Sequence, residues 1–593
     1  MRKLTLRLLL SILLLSAFKL SYSQSAVLNI NNIRANIDPN TLFNSISNGS
    51  SSFETPVGSG AHTIYSASLW LAGIDLNGVV RTNVNTYHNA PQKIAGPIMN
   101  SSYYASEGPG WDKVWKVQCQ DIQQFNAWHE CTQNPNCDAN LDFPGYQIPT
   151  SILSWPAHGD VTKGQAYNLA PFFDRNSDNL YDPNTGDYPL IKGDEAVFFI
   201  YNDERPFYTG GDTHAPMSTE VHGMAYAFST SDIEINNTIF LNYKIYPRGT
   251  FTFNNSYIGF WTDFDIGNYA DDYVGADVER SSFYGYNGDN NDENSNGVIG
   301  YGTNLPAQSV VFLKGAKQDN DGADNAIGIG SNETINGLNF GDGIVDNEYW
   351  GMEHFVYYNA GGGVQGSPTS EIEYHNYLSG KWRDNSQMVW GGTGHSSSGG
   401  TIASKYMYPS TSDPLNYGTV GVTPSPANWS ETTSGNPSGD RRGVGSSGPF
   451  TIQPGGMIEI DLALVFGRDM TGSGPQAGVA AMQQSIDFVR TEFLNGLTSD
   501  CSPGVITKIN NTPLREHSLS IYPNPFKNQF TINYELENNT ALLEVFNVMG
   551  KKIQSKTITQ NATIVDLSIQ PKGFYFVTIN DGTNRISKKI VKQ

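Results

Sequence analysis

The chain has 593 residues, with 36 Lys and Arg against 57 Asp and Glu, and a formal net charge of −21. Hydrophobic residues at 38% and aromatics at 12% suffice for packed cores and exclude wholesale disorder. The acidic balance excludes a general nucleic-acid binder, whose phosphate contacts need clustered Lys and Arg.

From the start, Met1 to Ser23 predicts a secretory signal peptide. Arg2, Lys3 and Arg7 precede an apolar run from Leu8 to Phe18, and Ser21-Tyr22-Ser23 forms a small-residue cleavage site before Gln24. The run is shorter than the roughly 20 residues that span a bilayer. The first Cys after it is Cys119, so a lipoprotein anchor at the cleavage site is not expected.

Residues 24–500 form an acidic body, possessing the charge that the basic ends conceal. The first 23 residues hold four basic residues and no acid, and the stretch from Arg515 holds ten basic and six acidic, which leaves −29 between them. Strands are predicted at Thr63 to Ile74, Glu195 to Tyr201, Glu220 to Phe228, Thr238 to Tyr246, Ser256 to Thr262 and Met457 to Phe466. Helical spacing appears at Val117 to Glu130 and at Gln476 to Leu497, where Val479, Met482, Ile486, Val489 and Phe493 recur at three- and four-residue steps. The expected fold is mainly β: an antiparallel sandwich-like body with long Asp-rich loops, two subdomains divided near residue 250 and one C-terminal helix.

The loops carry clusters of aspartate. In Asp174-Arg175-Asn176-Ser177-Asp178-Asn179-Leu180-Tyr181-Asp182, oxygen donors fall at positions 1, 3, 5 and 9 of an EF-hand-type calcium loop, with Leu180 at the position that lends a backbone carbonyl. Asn179 replaces the expected Gly and Thr185 the final Glu, which leaves Asp187 or a remote group to complete the shell. The alternative is a solvated turn with Asx capping. Asp263, Asp265, Asp271, Asp272 and Asp277 follow an apolar run, where five carboxylates need a cation or separate solvation. Asn287 with Asp289 and Asp292, Asp319 with Asp321 and Asp324, and Asp342 to Glu348 read more simply as solvated loops.

Four cysteines permit two disulfides, with Cys131 and Cys137 close enough for a local loop and Cys119 and Cys501 left over. His129 lies beside Cys131, but no paired Cys-x-x-Cys supports zinc. Signatures for zinc proteases, serine nucleophile elbows and phosphate loops are absent. Glu220 with His222 and Glu371 with Glu373 are the best acid–base candidates, if each pair shares one strand face. Gly394-His395-Ser396-Ser397-Ser398 has the wrong spacing for a nucleophile turn. The tryptophans, Trp111, Trp115, Trp128, Trp155, Trp350, Trp382, Trp390 and Trp429, suit either a core or a sugar- or protein-binding face.

After a linker at 501–517, residues 518–593 predict a small β-sandwich. Phe530, Ile532, Tyr534 and Leu536 alternate, and strand-like runs recur at Leu542 to Val548, Ile564 to Leu567, Phe574 to Ile579 and Ile586 to Val591. Tyr522-Pro523-Asn524-Pro525, the Gly550 turn, Gly573-Phe574-Tyr575 and the terminal Lys588-Lys589 pair stand at fixed distances from the end. In these motifs the tail resembles the type A C-terminal sorting domain of the Bacteroidota type IX secretion system. The resemblance implies export through the general secretory route, recognition by the outer-membrane machinery, removal by a sortase-like protease, and attachment to surface lipopolysaccharide or release. The body, through Trp111 to Val117, Ser154 to Asp160, Ala170 to Asp174, Gly186 to Pro189, Asp263 to Asp277 and Gly439 to Arg442, resembles an uncharacterised family of secreted Bacteroidota proteins, from which Cys119 to Cys137 departs as an insertion.

These features point to a secreted or cell-surface, non-enzymatic protein, calcium-stabilised through the Asp174 and Asp263 clusters, with an adhesion or surface-component role and a glycan or protein ligand. The alternative is a secreted carbohydrate-active hydrolase with an unrecognised carboxylate site.

Overall fold

The computed structural model describes residues 25–43, 52–87, 92–204, 215–295, 297–497, 501, 520–533, 540–547, 552–560, 562–580 and 585–593. The signal peptide expected at Met1 to Ser23, Gly550 and the linker apart from Cys501 lie outside them. The chain divides into two compact units, residues 1–483 and 484–593.

Alternation builds the first unit. In the strand Thr238–Pro247, Ile239, Leu241, Tyr243 and Ile245 all enter the main hydrophobic core, one residue in two. Burying a side chain such as Leu241 contributes about 1.5–3 kcal/mol. That strand lies inside a nine-stranded antiparallel sheet ordered Asp272–Asp277, Ser282–Asn287, Pro306–Lys314, Ile458–Arg468, Thr238–Pro247, Thr219–Ala227 and Glu195–Asn202, with Ile94–Ala95 and Trp115–Gln118 both pairing to the last. A second antiparallel sheet of five runs His354–Tyr358, Arg441–Ile452, Phe253–Phe264, Ile64–Asp75 and Val80–Asn83. One core takes side chains from both sheets, as where Phe283 of the larger stacks on Phe355 of the smaller with ring centroids 5.1 Å apart. The arrangement is a β-sandwich. Both sheets contain strands from before and after residue 250.

Each strand expected from alternation in the body is present within one to three residues of its expected ends. The Arg441–Ile452 strand, an inner strand of its sheet, escapes such a reading because glycine and serine fill much of its buried length. A Cβ on Gly443 would meet Phe355 at 2.7 Å and one on Gly445 would meet Phe283 at 2.6 Å, so glycine there makes room for the rings. The two expected helices are Cys119–Gln133 and Pro475–Leu494, the latter burying Val479, Met482, Ile486 and Val489. Tyr104–Trp111 and Glu371–Leu378 are helices as well. The second of these corrects the expectation that Glu371 and Glu373 share a strand face, because Ser370 caps the Glu373 amide and starts a helix.

In the second unit, a three-stranded sheet (Ser520–Tyr522, Gln529–Asn533, Ala562–Asp566) and a four-stranded one (Lys552–Ile558, Ala541–Asn547, Gly573–Asn580, Arg585–Lys592) share a core that includes Phe530, Ile532, Leu543, Val545, Val577 and Ile590. This is the small β-sandwich expected of the tail.

Candidate metal centre

The Phe253–Phe264 strand delivers Asp263 to the end of the five-stranded sheet, where the register sets it opposite Arg442 on one neighbour and Ser66 on the other. Asp265 follows past the strand end, and Asp440 precedes the Arg441–Ile452 strand. One oxygen from each of Asp263, Asp265 and Asp440 lies within 4.8 Å of the others. Asp263 and Asp265 are 2% and 8% exposed. Arg442 lies 3.3 Å from Asp263 and 2.7 Å from Asp440, and His62 Nε2 lies 3.8 Å from Asp265 Oδ2. The Tyr87 hydroxyl donates to Asp263 Oδ2 and accepts from Arg442 Nε at 2.8 Å. Asp263 Oδ1 has no hydrogen-bond partner among the described residues. Burial, reinforced by Asp265, drives the Asp263 carboxyl well above the usual carboxylate range, and Arg442 opposes the shift. Burial raises Asp265 too, with His62 opposing.

The acidic region continues into the 265–292 loops. Asp272 and Asn287 are direct cross-strand partners, both fully buried, and an oxygen of each is without a hydrogen-bond partner among the described residues. The other oxygen of Asp272 accepts from the Ile266 amide at 2.8 Å. Asp292 accepts from the amides of Asn268 at 2.9 Å and Tyr301 at 2.6 Å. Burial first, then Asp292, pushes Asp271 up to about 6, and burial pushes Asp292 to about 6 against its two amide donors. Gly267 makes this crossing: its φ is +65° and a Cβ would lie 2.0 Å from Asp292 Oδ2. Gly267→Ala is therefore expected to lower stability by about 1–3 kcal/mol. Urea denaturation reads this directly, and an unchanged midpoint would show that the crossing is not tight.

Of the five aspartates from 263 to 277, the structure brings Asp263 and Asp265 together. Asp277 lies at the far end of its strand, paired with Arg280 at 3.1 Å and accepting from Gln483 at 2.8 Å. The 174–187 loop is a chain of Asx turns. Asp174 accepts from the amides of Asp178 and Asn179, Asp178 accepts from the Leu180 amide at 2.8 Å, and Asn176 donates to Asp178 Oδ2 at 2.9 Å. Asp182 accepts from the Asn184 amide at 2.8 Å. Buried Asp187 accepts from the Arg175 and Asp182 amides, each at 2.9 Å, and so ties the two ends of the loop. Ser177 and Asn179 take left-handed conformations, with φ of 59° and 61°. Leu180 is exposed.

The remaining candidates are engaged in disulfide, ion-pair, capping or packing contacts. Cys131 and Cys137 form a disulfide and no cysteine is free among the described residues, which removes thiolate ligands for zinc. Glu220 and His222 do share a strand face, 3.0 Å apart, but Glu220 is fully buried and also paired with Arg248 at 2.7 Å. Glu373 is held by Arg383 and the Thr369 amide. His395 caps the turn Ser396–Ser398 by accepting from the Ser397 amide, with Asp384 on its other nitrogen at 3.4 Å. Trp115, Trp155, Trp350, Trp382, Trp390 and Trp429 are buried, which assigns them to the core.

In the second unit, Tyr522-Pro523-Asn524-Pro525 is joined to the terminal strand through Asn524 and the following Phe526. Asn524 Oδ1 accepts from the Val591 amide at 2.8 Å, and Phe526 exchanges backbone bonds with Val591 and Gln593. Gly573 starts its strand at φ +148°, and buried Tyr575 donates its hydroxyl to Pro571 O at 2.6 Å. Lys588 is exposed on the last strand, where the Lys589 backbone pairs with Phe576.

Residues 520–593 match the family model described as a secretion system C-terminal sorting domain. A chain with this tail is an exported protein. It is a substrate of the type IX secretion system, engages that machinery, and crosses the outer membrane to the cell surface or extracellular space. No curated protein matches the chain. Among solved structures, a polysaccharide lyase aligns at 8% identity and a TM-score of 0.18, over 72% of this chain and 37% of that one. This chain thus spans 37% of the lyase's length, and a likeness of that size implies nothing about activity.

Proposed function

We propose that the protein is a non-enzymatic component of the cell surface or its surroundings, with an adhesion role and a body stabilised by calcium. In this reading Met1 to Ser23 is the secretory signal peptide, a sortase-like protease removes the tail, and the body is joined to lipopolysaccharide or released. The observation that carries the calcium reading is the concentration of buried, partly unpartnered oxygens at Asp263, Asp272 and Asn287 in a body of high negative charge. Hard divalent cations take oxygen ligands, and extracellular sites bind calcium with dissociation constants of about 0.1–1 mM, suited to an exported protein. The non-enzymatic reading is supported by Glu220 and Glu373, each engaged by an Arg partner.

A glycan array probed with the secreted body, paired with reducing-sugar assays on the bound glycans, tests the function. Calcium-dependent binding without product release is expected. Release of new reducing ends would establish the hydrolase alternative instead.

A further inference from the structure

We infer that Asp263, Asp265 and Asp440 form a single buried divalent-cation site that fastens the ends of two adjacent strands. This deepens the calcium reading above, and rests on it, by naming one site and adding Asp440.

Three carboxylates with oxygens within 4.8 Å of one another, two of them nearly buried, repel strongly in a low dielectric. Arg442 supplies one positive charge to the three, so a divalent ion brings the ionised group to neutrality. The hydrogen bonding around Arg442 leaves acceptor oxygens for that ion. Asp263 Oδ1, on a residue 2% exposed, has no donor among the described residues. Arg442 Nη1 and Asp440 Oδ1, though 2.7 Å apart, are not directed as a hydrogen bond. Acceptor-only oxygens without donors are what a hard cation binds and what a hydrogen-bonded network lacks. Asp440, whose side chain is 32% exposed, provides the way in from solvent. Tyr87 and His62 hold the outer sides of Asp263 and Asp265 and orient them. Asp271 and Asp277 are outside the set, Asp277 having its own Arg280.

Terbium, which occupies calcium sites and emits when a neighbouring aromatic ring is excited, is the probe. Tyr87 is bonded to Asp263, and Trp261 packs on Tyr87 with centroids 5.2 Å apart, so both rings can sensitise an ion at this position. The full-length protein should give sensitised emission that calcium displaces. Asp440→Asn, at a partly exposed position that leaves the core intact, should weaken terbium binding by roughly tenfold or more, and Asp178→Asn in the 174–187 loop should not. Circular dichroism confirms that each variant is folded, and Asp265→Asn repeats the test from a second ligand. Loss of emission in Asp178→Asn with full retention in Asp440→Asn and Asp265→Asn would overturn this site while leaving calcium binding in place. No emission from the wild type, with no calcium effect on its melting, would overturn both.

Discussion

Deleting residues 515–593 is expected to abolish display and secretion altogether, leaving the body in the periplasm. The effect is expected to be all-or-none because the sorting domain at 520–593 is what engages the type IX machinery. The sorting unit has its own two-sheet core, from Phe526 to Ile590, and its Tyr522 to Pro525 segment is fixed to the terminal strand by Asn524 and Phe526. Fractionation with an antibody to the body reads the outcome. Surface display of the truncated chain at the wild-type level would contradict the assignment of export to this domain.

Arg442→Met is expected to have the largest effect on stability, about 3–5 kcal/mol, because it strips a buried carboxylate cluster of its guanidinium. Arg442 touches Asp263, Asp440 and Tyr87 at once, so no neighbour substitutes for it. The pH dependence has a defined sign. In the calcium-free protein, burial raises the Asp263 and Asp265 carboxyls above the usual carboxylate range, and removing the Arg442 guanidinium raises them further. Groups with raised folded-state values favour folding at low pH and lose that contribution as pH rises through them. The deficit of the variant should therefore shrink on acidification from about pH 8 towards about pH 5. Urea titrations at both ends of that range check it, and an equal deficit throughout would show that Arg442 acts through packing alone.

The C-terminal sorting domain and most of the described strands are legible in the sequence, because each rests on local chemistry. Apolar alternation marks Thr238–Pro247, and the Pro-Asn-Pro segment with its glycine turns marks the tail. What escapes depends on long-range placement. Asp440 becomes the third carboxylate of the cluster only through the register that sets Asp263 opposite Arg442, and that register joins a strand written in glycine and serine. Glu371 and Glu373 mislead for the converse reason, since a two-residue spacing carries no strand signal once Ser370 caps a helix. The 263–277 aspartates are dense in sequence yet divided in space, because the Asp272–Asp277 strand carries Asp277 to its own partner, Arg280.

The acidic body is proposed to work with bound calcium, and the test is the metal content of the protein recovered from the culture medium, measured by native mass spectrometry beside a thermal melt with and without chelator. Retained calcium and a melting temperature that falls on chelation and returns on adding calcium are predicted. A metal-free protein whose melting is indifferent to both would show that the body does not work with calcium.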